Sequence, residues 1–117
     1  MEYVKKFPKE VSFETKDFFK GYQLSSKLGI EVDYIDMING HEFYQKEAES
    51  VHIYYILEGS GIASINEKMY KLESGDTVEI PINTEFAFKG KMKMIEIMNP
   101  PFNPETHLDT KKNDLNF

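Results

Sequence analysis

The chain has 117 residues, a formal net charge of −6 and no cysteine. This length predicts a single domain over residues 1–117, large enough to bury a core. The missing thiols exclude disulfides, thiolate metal sites and cysteine nucleophiles. The fourteen basic residues are all lysines scattered along the chain, so we expect no nucleic-acid partner and no arginine clamp for phosphates.

The sequence predicts a cytoplasmic protein without a membrane partner. No apolar run approaches the roughly eighteen residues of a membrane span. The N-terminal residues, which include three lysines between Lys5 and Lys9, lack the apolar centre of a signal peptide.

Short runs of β-branched, aromatic and aliphatic residues, separated by Gly, Pro, Asn and Ser, predict an all-β protein. Residues 1–20 form a predicted N-terminal arm, in which Phe13, Phe18 and Phe19 pack as an edge strand or a cover. Nine strands are then predicted, at residues 22–28, 30–37, 42–47, 51–58, 61–66, 69–72, 77–80, 85–89 and 92–98. Their even spacing favours a barrel or jelly roll over residues 21–98.

Alternation within two of these strands predicts which side chains are buried. Ile30, Val32 and Tyr34 alternate with Glu31 and Asp33, which predicts that the acids face water. Residues 51–57 are apolar at both parities, and a strand can turn only one parity toward the interior. We therefore expect the outer face of this strand to be covered, by another strand or by the second subunit of a homodimer.

The two ends of the predicted barrel have local signals of their own. Asn66 and Glu67 are typical of a two-residue hairpin turn. Residues 99–117 form a predicted C-terminal extension that opens with a short helix, since Asn103 can cap it and Pro104 suits its first position. Beyond Thr110 the chain is predicted to be a frayed end.

Two segments resemble the signature motifs of the cupin superfamily. They are HIYYILEGSG at residues 52–61 and GDTVEIPINTEF at residues 75–86. The resemblance extends over residues 30–98 and implies a small single-domain cupin, a double-stranded β-helix or jelly-roll barrel. Metal-binding cupins use about three histidines and a glutamate, but here His52 takes the glutamate position and Phe86 takes a histidine position.

The resemblance thus implies a degenerate metal site, and we expect no tightly bound metal or other cofactor. One spacing of the first motif places Lys46 and Ala48 at the paired histidine positions, and the other places Gln45 and Glu47 there. With His52, Gln45 and Glu47 remain weak candidates for a divalent metal site.

The predicted function is binding of a small molecule of unassigned identity, with a sugar-like compound as one candidate, inside the barrel. The predicted pocket residues are Gln45, Glu47, His52, Tyr54, Phe86 and Phe88. Two enzymatic alternatives remain open. The first is a metal-independent sugar isomerase or epimerase, as found among metal-free cupins, with His52 as the base. The second is a metal-dependent cupin enzyme. His41 and His107 are predicted to lie on the surface unless the tail folds over the barrel opening.

Overall fold

A computed structural model describes residues 2–117, and the fold that it shows is built from strands. This confirms the all-β prediction, and residues 2–117 include no helix able to span a membrane. The strands are β1 (Phe13–Thr15), β2 (Phe19–Ser25), β3 (Glu31–Met37), β4 (Phe43–Glu47), β5 (Val51–Ile65), β6 (Lys68–Glu73), β7 (Thr77–Ile80), β8 (Phe86–Asn99) and β9 (His107–Lys112).

Two long antiparallel strands, β5 and β8, form the centre of one curled sheet. They pair along almost their whole length, from Val51 opposite Asn99 to Ile65 opposite Phe86. The other edge of β8 pairs with β3, and β2 and β1 follow in order. The other edge of β5 pairs with β7 and β6, while β4 pairs with β8 and with β9.

Each of the two central strands was predicted as two shorter ones, because glycines interrupt the apolar runs. In the structure Gly61 lies directly opposite Gly90. A Cβ atom on either glycine would collide with the backbone of the other strand. The glycines therefore permit close approach of two continuous strands and do not end them.

The interior of the sheet is filled by alternate residues of the long strands. His52, Tyr54 and Ile56 point inward from β5, and each is buried. The predicted hairpin turn is confirmed, since Asn66 and Glu67 both have positive φ, at 50° and 68°. The buried apolar core consists mainly of Ile35, Met37, Tyr54, Ile56, Ala63, Leu72, Val78, Ile80, Phe86, Phe88, Met92 and Met94.

The parity predicted for β3 is wrong. Glu31 and Asp33 face the interior, with 5% and 1% of their surface exposed. Ile35 and Met37 share their parity and belong to the apolar core. The core contacts of these two residues fix the register of the whole strand, and the two acids are buried as a result.

The two ends of the chain both join the sheet. Of the N-terminal aromatic residues, Phe13 lies on the edge strand β1 and Phe19 opens β2, which lies between β1 and β3. The helix predicted at Asn103 is wrong. Asn103 caps only one turn, in which its side-chain oxygen accepts from the N–H of Glu105, and the chain then extends as β9 along β4 as far as Lys112. Pairing with an open sheet edge outweighs the local helix signal.

Candidate functional site

A cavity of about 460 Å³ lies on the concave side of the sheet. All three histidines of the chain line it, and none of the fourteen lysines does. The acidic residues in its lining are Glu31, Asp33, Glu42, Glu47, Glu96 and Asp109. The cavity is therefore an anionic site with three imidazoles in its wall.

Three buried side chains from the central strands form a hydrogen-bonded group, His52 and Tyr54 from β5 and Glu96 from β8. His52 Nδ1 lies 2.9 Å from Glu96 Oε2, and the Tyr54 hydroxyl donates to the same oxygen over 2.7 Å. The two rings of β5 are stacked with an interplanar angle of 9° because they are two residues apart on one face of a strand. This group fixes the orientation of the imidazole.

The charges in this group decide which nitrogen of His52 is free. Burial raises the pKa of Glu96, but hydrogen bonds from His52 and Tyr54 outweigh it and leave the pKa below its usual value. Glu96 is therefore ionised, and His52 donates to it from Nδ1. Nε2 of His52 is buried and has no hydrogen-bond partner among residues 2–117. In the neutral imidazole this nitrogen carries a lone pair at the cavity wall.

Burial and negative charge also act on Tyr54. Its pKa is well above the usual value, first because the phenol is buried and second because Glu96 is close. The hydroxyl therefore keeps its proton and remains a donor to Glu96. Its role in this geometry is to hold the carboxylate that orients His52.

His41, predicted to lie on the surface, is buried beside the cavity. Gly40 precedes it at a φ of 98° and lets the chain approach β8 closely. His41 Nδ1 then accepts from the backbone N–H of Phe88 over 3.0 Å. Burial lowers the pKa of His41 to about 4, so its ring is neutral at pH 7. Nε2 of His41 therefore carries the proton and donates. The side-chain atom of Gln45 at 3.1 Å is placed as its Nε2, and since two donors cannot bond, the amide is turned so that its oxygen accepts.

His107 lines the cavity because the C-terminal tail folds over the opening. Its Nδ1 lies 2.6 Å from Glu47 Oε1 and its Nε2 lies 2.9 Å from Asp109 Oδ1. Burial lowers the pKa of His107, but these two carboxylates outweigh it and raise the pKa above 6.5. The ring is a cation that joins β9 to β4.

Glu31 and Asp33 form a carboxyl pair on the β3 wall. Neither oxygen of Asp33 has a hydrogen-bond donor among residues 2–117, and Glu31 can be its partner only through a shared proton. Burial raises the pKa of Asp33 to about 9, and Glu31 and Glu96 add to this. Glu31 accepts from the N–H of Phe102 in the C-terminal tail over 3.1 Å.

The weak metal candidates do not converge on one point. Gln45 contacts His41, Glu47 contacts His107 and His52 contacts Glu96. Within residues 2–117 no three His, Asp or Glu side chains are arranged to hold a metal ion. The donor set therefore does not fit the metal that many cupins bind, and the expected absence of a tight metal stays a prediction for elemental analysis.

Four of the predicted pocket residues, Gln45, Glu47, His52 and Tyr54, line the cavity. Phe86 and Phe88 do not. Both are completely buried and stand behind the wall, with Phe86 against His52 and Tyr54. Three of the cavity residues that the sequence did not single out for the pocket are Glu31, Asp33 and Glu96. Each lies two or four residues from a core residue of the same strand, which is the one signal that could have found them.

Comparison with known proteins defines the fold. No family model matches the chain. Over 72 residues it is 31% identical to an uncharacterized protein, MJ1618 of Methanocaldococcus jannaschii, and the match spans 61% of this chain and 54% of that protein. The chain thus matches about half the length of this relative.

Solved structures match the chain over more of its length, at lower sequence identity. The chain is similar to Pac13, a nucleoside dehydratase, with a TM-score of 0.83, 20% identity and coverage of 93% of this chain and 92% of Pac13. A variant of Streptomyces PAC13 solved with uridine has a TM-score of 0.84, 20% identity and coverage of 95% and 93%. The cupin domain of Schizosaccharomyces pombe Cnp3 has a TM-score of 0.61, 16% identity and coverage of 71% and 65%. The chain has a cupin fold. The cavity is the interior of this cupin barrel, and the fold resemblance read from residues 52–61 and 75–86 is confirmed.

Proposed function

We propose that this cupin is a metal-independent acid–base enzyme, an isomerase or dehydratase that acts on a small sugar-like or nucleoside-like molecule. The observation that carries the proposal is His52 Nε2, a buried nitrogen with no hydrogen-bond partner among residues 2–117, on a residue that lines the cavity. The opposite nitrogen of the ring is held by an ionised carboxylate. This is the arrangement of a general base in a defined tautomer.

The chemistry follows from that lone pair. Nε2 of His52 removes a proton from a carbon next to a carbonyl group, the electron pair moves toward the carbonyl oxygen, and Glu96 stabilises the imidazolium. In an α-hydroxy carbonyl compound, return of the proton to the former carbonyl carbon, with transfer of the hydroxyl proton from one oxygen to the other, gives an isomer. Transfer of the proton to a departing β-hydroxyl gives an alkene and water. One base can therefore serve either reaction.

Three observations support the class of ligand. A volume of about 460 Å³ is in the usual range for small-molecule sites. Pac13, which shares this fold, is a nucleoside dehydratase and has been solved with uridine. The acidic lining favours a ligand that brings hydrogen-bond donors, as sugars and nucleosides do.

Proton exchange in D₂O tests the proposal whichever product is formed. A panel of carbonyl-bearing sugars and oxidised nucleosides is incubated with the protein, and ¹H NMR follows loss of the C–H signal beside the carbonyl. Wild type should accelerate the loss for at least one compound. His52→Gln should reduce that rate by about 100-fold or more, whereas the exposed control Glu58→Gln should not change it. Exchange that persists in His52→Gln, or no exchange with any compound, would overturn the proposal.

A binding protein without catalysis is the second candidate. It is favoured by the Tyr54 hydroxyl, which points its hydrogen at Glu96 and not into the cavity. In that case a compound from the panel should bind with no change in its NMR spectrum over time.

A further inference from the structure

Buried polar atoms without partners mark the places where a ligand can bind. Among residues 2–117, four such side-chain atoms are found: Asp33 Oδ1, Asp33 Oδ2, Glu47 Oε2 and His52 Nε2. All belong to residues that line the cavity. Since buried polar groups in folded proteins are almost always hydrogen-bonded, these atoms are positioned for partners from outside the chain.

Asp33 differs from the other two residues because neither of its oxygens has a partner among residues 2–117 apart from the proton that it can share with Glu31. Only 1% of its surface is exposed, and it lies on the β3 wall beside Glu31. Glu47, in contrast, already uses one oxygen to bind His107. Two adjacent oxygens on one carboxyl group match two adjacent hydrogen-bonding groups on a ligand.

We propose that Asp33 binds a vicinal diol of the ligand, with both of its oxygens facing two neighbouring hydroxyls. This inference rests on the proposed function and narrows its substrate class to sugars or nucleosides whose neighbouring hydroxyls are unsubstituted. No lysine lines the cavity and six acidic residues do, so a phosphate on either hydroxyl would meet repulsion. The charge of His107 does not offset it, because both of its ring nitrogens are already paired with Glu47 and Asp109.

The protonation of Asp33 agrees with a neutral partner. With a pKa of about 9, the carboxyl holds a proton at pH 7 and presents one donor and one acceptor. Each hydroxyl of a diol can donate or accept, so the pair can satisfy both oxygens without any change of charge. The hydrogen bond with Glu31 is a further cause of the raised pKa of Asp33, so in the complex a hydroxyl of the diol takes the place of Glu31 as the acceptor of this proton.

Isothermal titration calorimetry with uridine and methyl β-D-ribofuranoside, each against its 2-deoxy counterpart, tests the diol site. Wild type should bind at least one of the two diols about tenfold or more tightly than the deoxy compound. Asp33→Ala should lose the difference. Asp33→Asn keeps one donor and one acceptor, so it should keep part of the difference, and this variant also guards against a folding defect in the alanine variant. Glu58→Ala, at an exposed position of β5, is the matched control.

The outcomes separate this inference from the proposed function. Equal binding of diol and deoxy compound by wild type would overturn the diol site and leave the proton-transfer function standing. Diol discrimination that depends on Asp33, without proton exchange for any compound, would support the diol site and overturn the enzyme. No binding of either diol at millimolar concentration would overturn the diol site together with the proposed ligand class.

Discussion

The buried carboxyl of Asp33 makes the stability of this protein depend on pH. Its pKa is about 9 in the folded protein against 3.8 for a free aspartate. Between these values the folded chain holds a proton that the unfolded chain has released. The contribution of Asp33 to the free energy of unfolding is therefore most favourable below pH 4, and it decreases as the pH rises toward 9.

We expect Asp33→Asn to stabilise the protein at pH 8 by on the order of 1 to 3 kcal/mol, because the amide does not have to ionise or to retain a proton. The gain should shrink as the pH falls and vanish near pH 4. Urea denaturation at pH 4, 6 and 8 measures it. A gain that is equal at all three values would contradict the pKa assigned to Asp33.

The same residue shows a limit of sequence interpretation at this scale. Glu31 and Asp33 alternate with apolar residues, and acids are rarely buried, so the pattern alone places them in water. The decisive contacts are those of Ile35 and Met37 farther along β3, which set the register. Only a burial assignment over the whole strand could have reversed the prediction.

At the scale of elements, β9 is held over the cavity by a charged histidine. His107 has a raised pKa because Glu47 and Asp109 outweigh its burial. Its contribution to stability is fully present below pH 6.5 and is lost as the pH rises through the folded-state pKa. Loosening of the tail at alkaline pH follows from this sign.

His107→Gln should therefore destabilise the protein most at pH 5.5 to 6 and progressively less toward pH 9. Urea midpoints across that range test the prediction, and hydrogen exchange of the β9 amides locates the change. His41→Gln is the control of opposite sign. The pKa of His41 is lowered to about 4, so its contribution is present above pH 6.5 and is lost as the pH falls toward 4.

Gly40 fixes the entry into β4 and the position of His41. It has a φ of 98°, and a Cβ atom there would collide with the backbone of Phe88. Gly40→Ala should lower the free energy of unfolding by about 1 to 3 kcal/mol. Gly75→Ala is a matched control, since Gly75 has a φ of 94° but open space around it. A clearly smaller loss at Gly75 would assign the difference to the contact with Phe88, and equal losses would refute that contact.

At the scale of the whole molecule, the outer face of β5 remains uncovered in the single chain. Ile53, Tyr55 and Leu57 are 37%, 45% and 39% exposed. They adjoin Ile95 and Ile97 of β8, which pair with Tyr55 and Ile53. A continuous apolar face of this kind is typical of an interface between subunits.

We expect the protein to be a homodimer and Tyr55→Lys to shift it toward the monomer. In the dimer, a lysine at this position would be buried without a partner, and this cost adds to the loss of the aromatic contact. Light scattering after gel filtration gives the mass of each form. Ile82→Lys, at an equally exposed position outside this face, should leave the mass unchanged. A monomeric wild type would refute the prediction.

The fold could be predicted from the sequence to a far greater extent than the site. Glycines, a proline and inward residues of β5 lie within two short segments, so residues 52–61 and 75–86 carry the architecture locally. The site has no such segment. Asp33, His52, Glu96 and His107 come from four strands, and only the pairing of β8 with both β3 and β5 brings the first three together. Their spacing along the chain therefore carries no signal.

The cavity is lined partly by the central strands and partly by segments near the two ends of the chain. His52, Tyr54 and Glu96 lie on the two central strands, whereas part of the cavity lining comes from β1 and from the tail around β9. Edge strands and tails can vary without disturbing the core that supports His52. Exchange of the first fifteen or the last fifteen residues would thus change which ligand fits the cavity, while the hydrogen-bonded group of His52, Tyr54 and Glu96 stays the same.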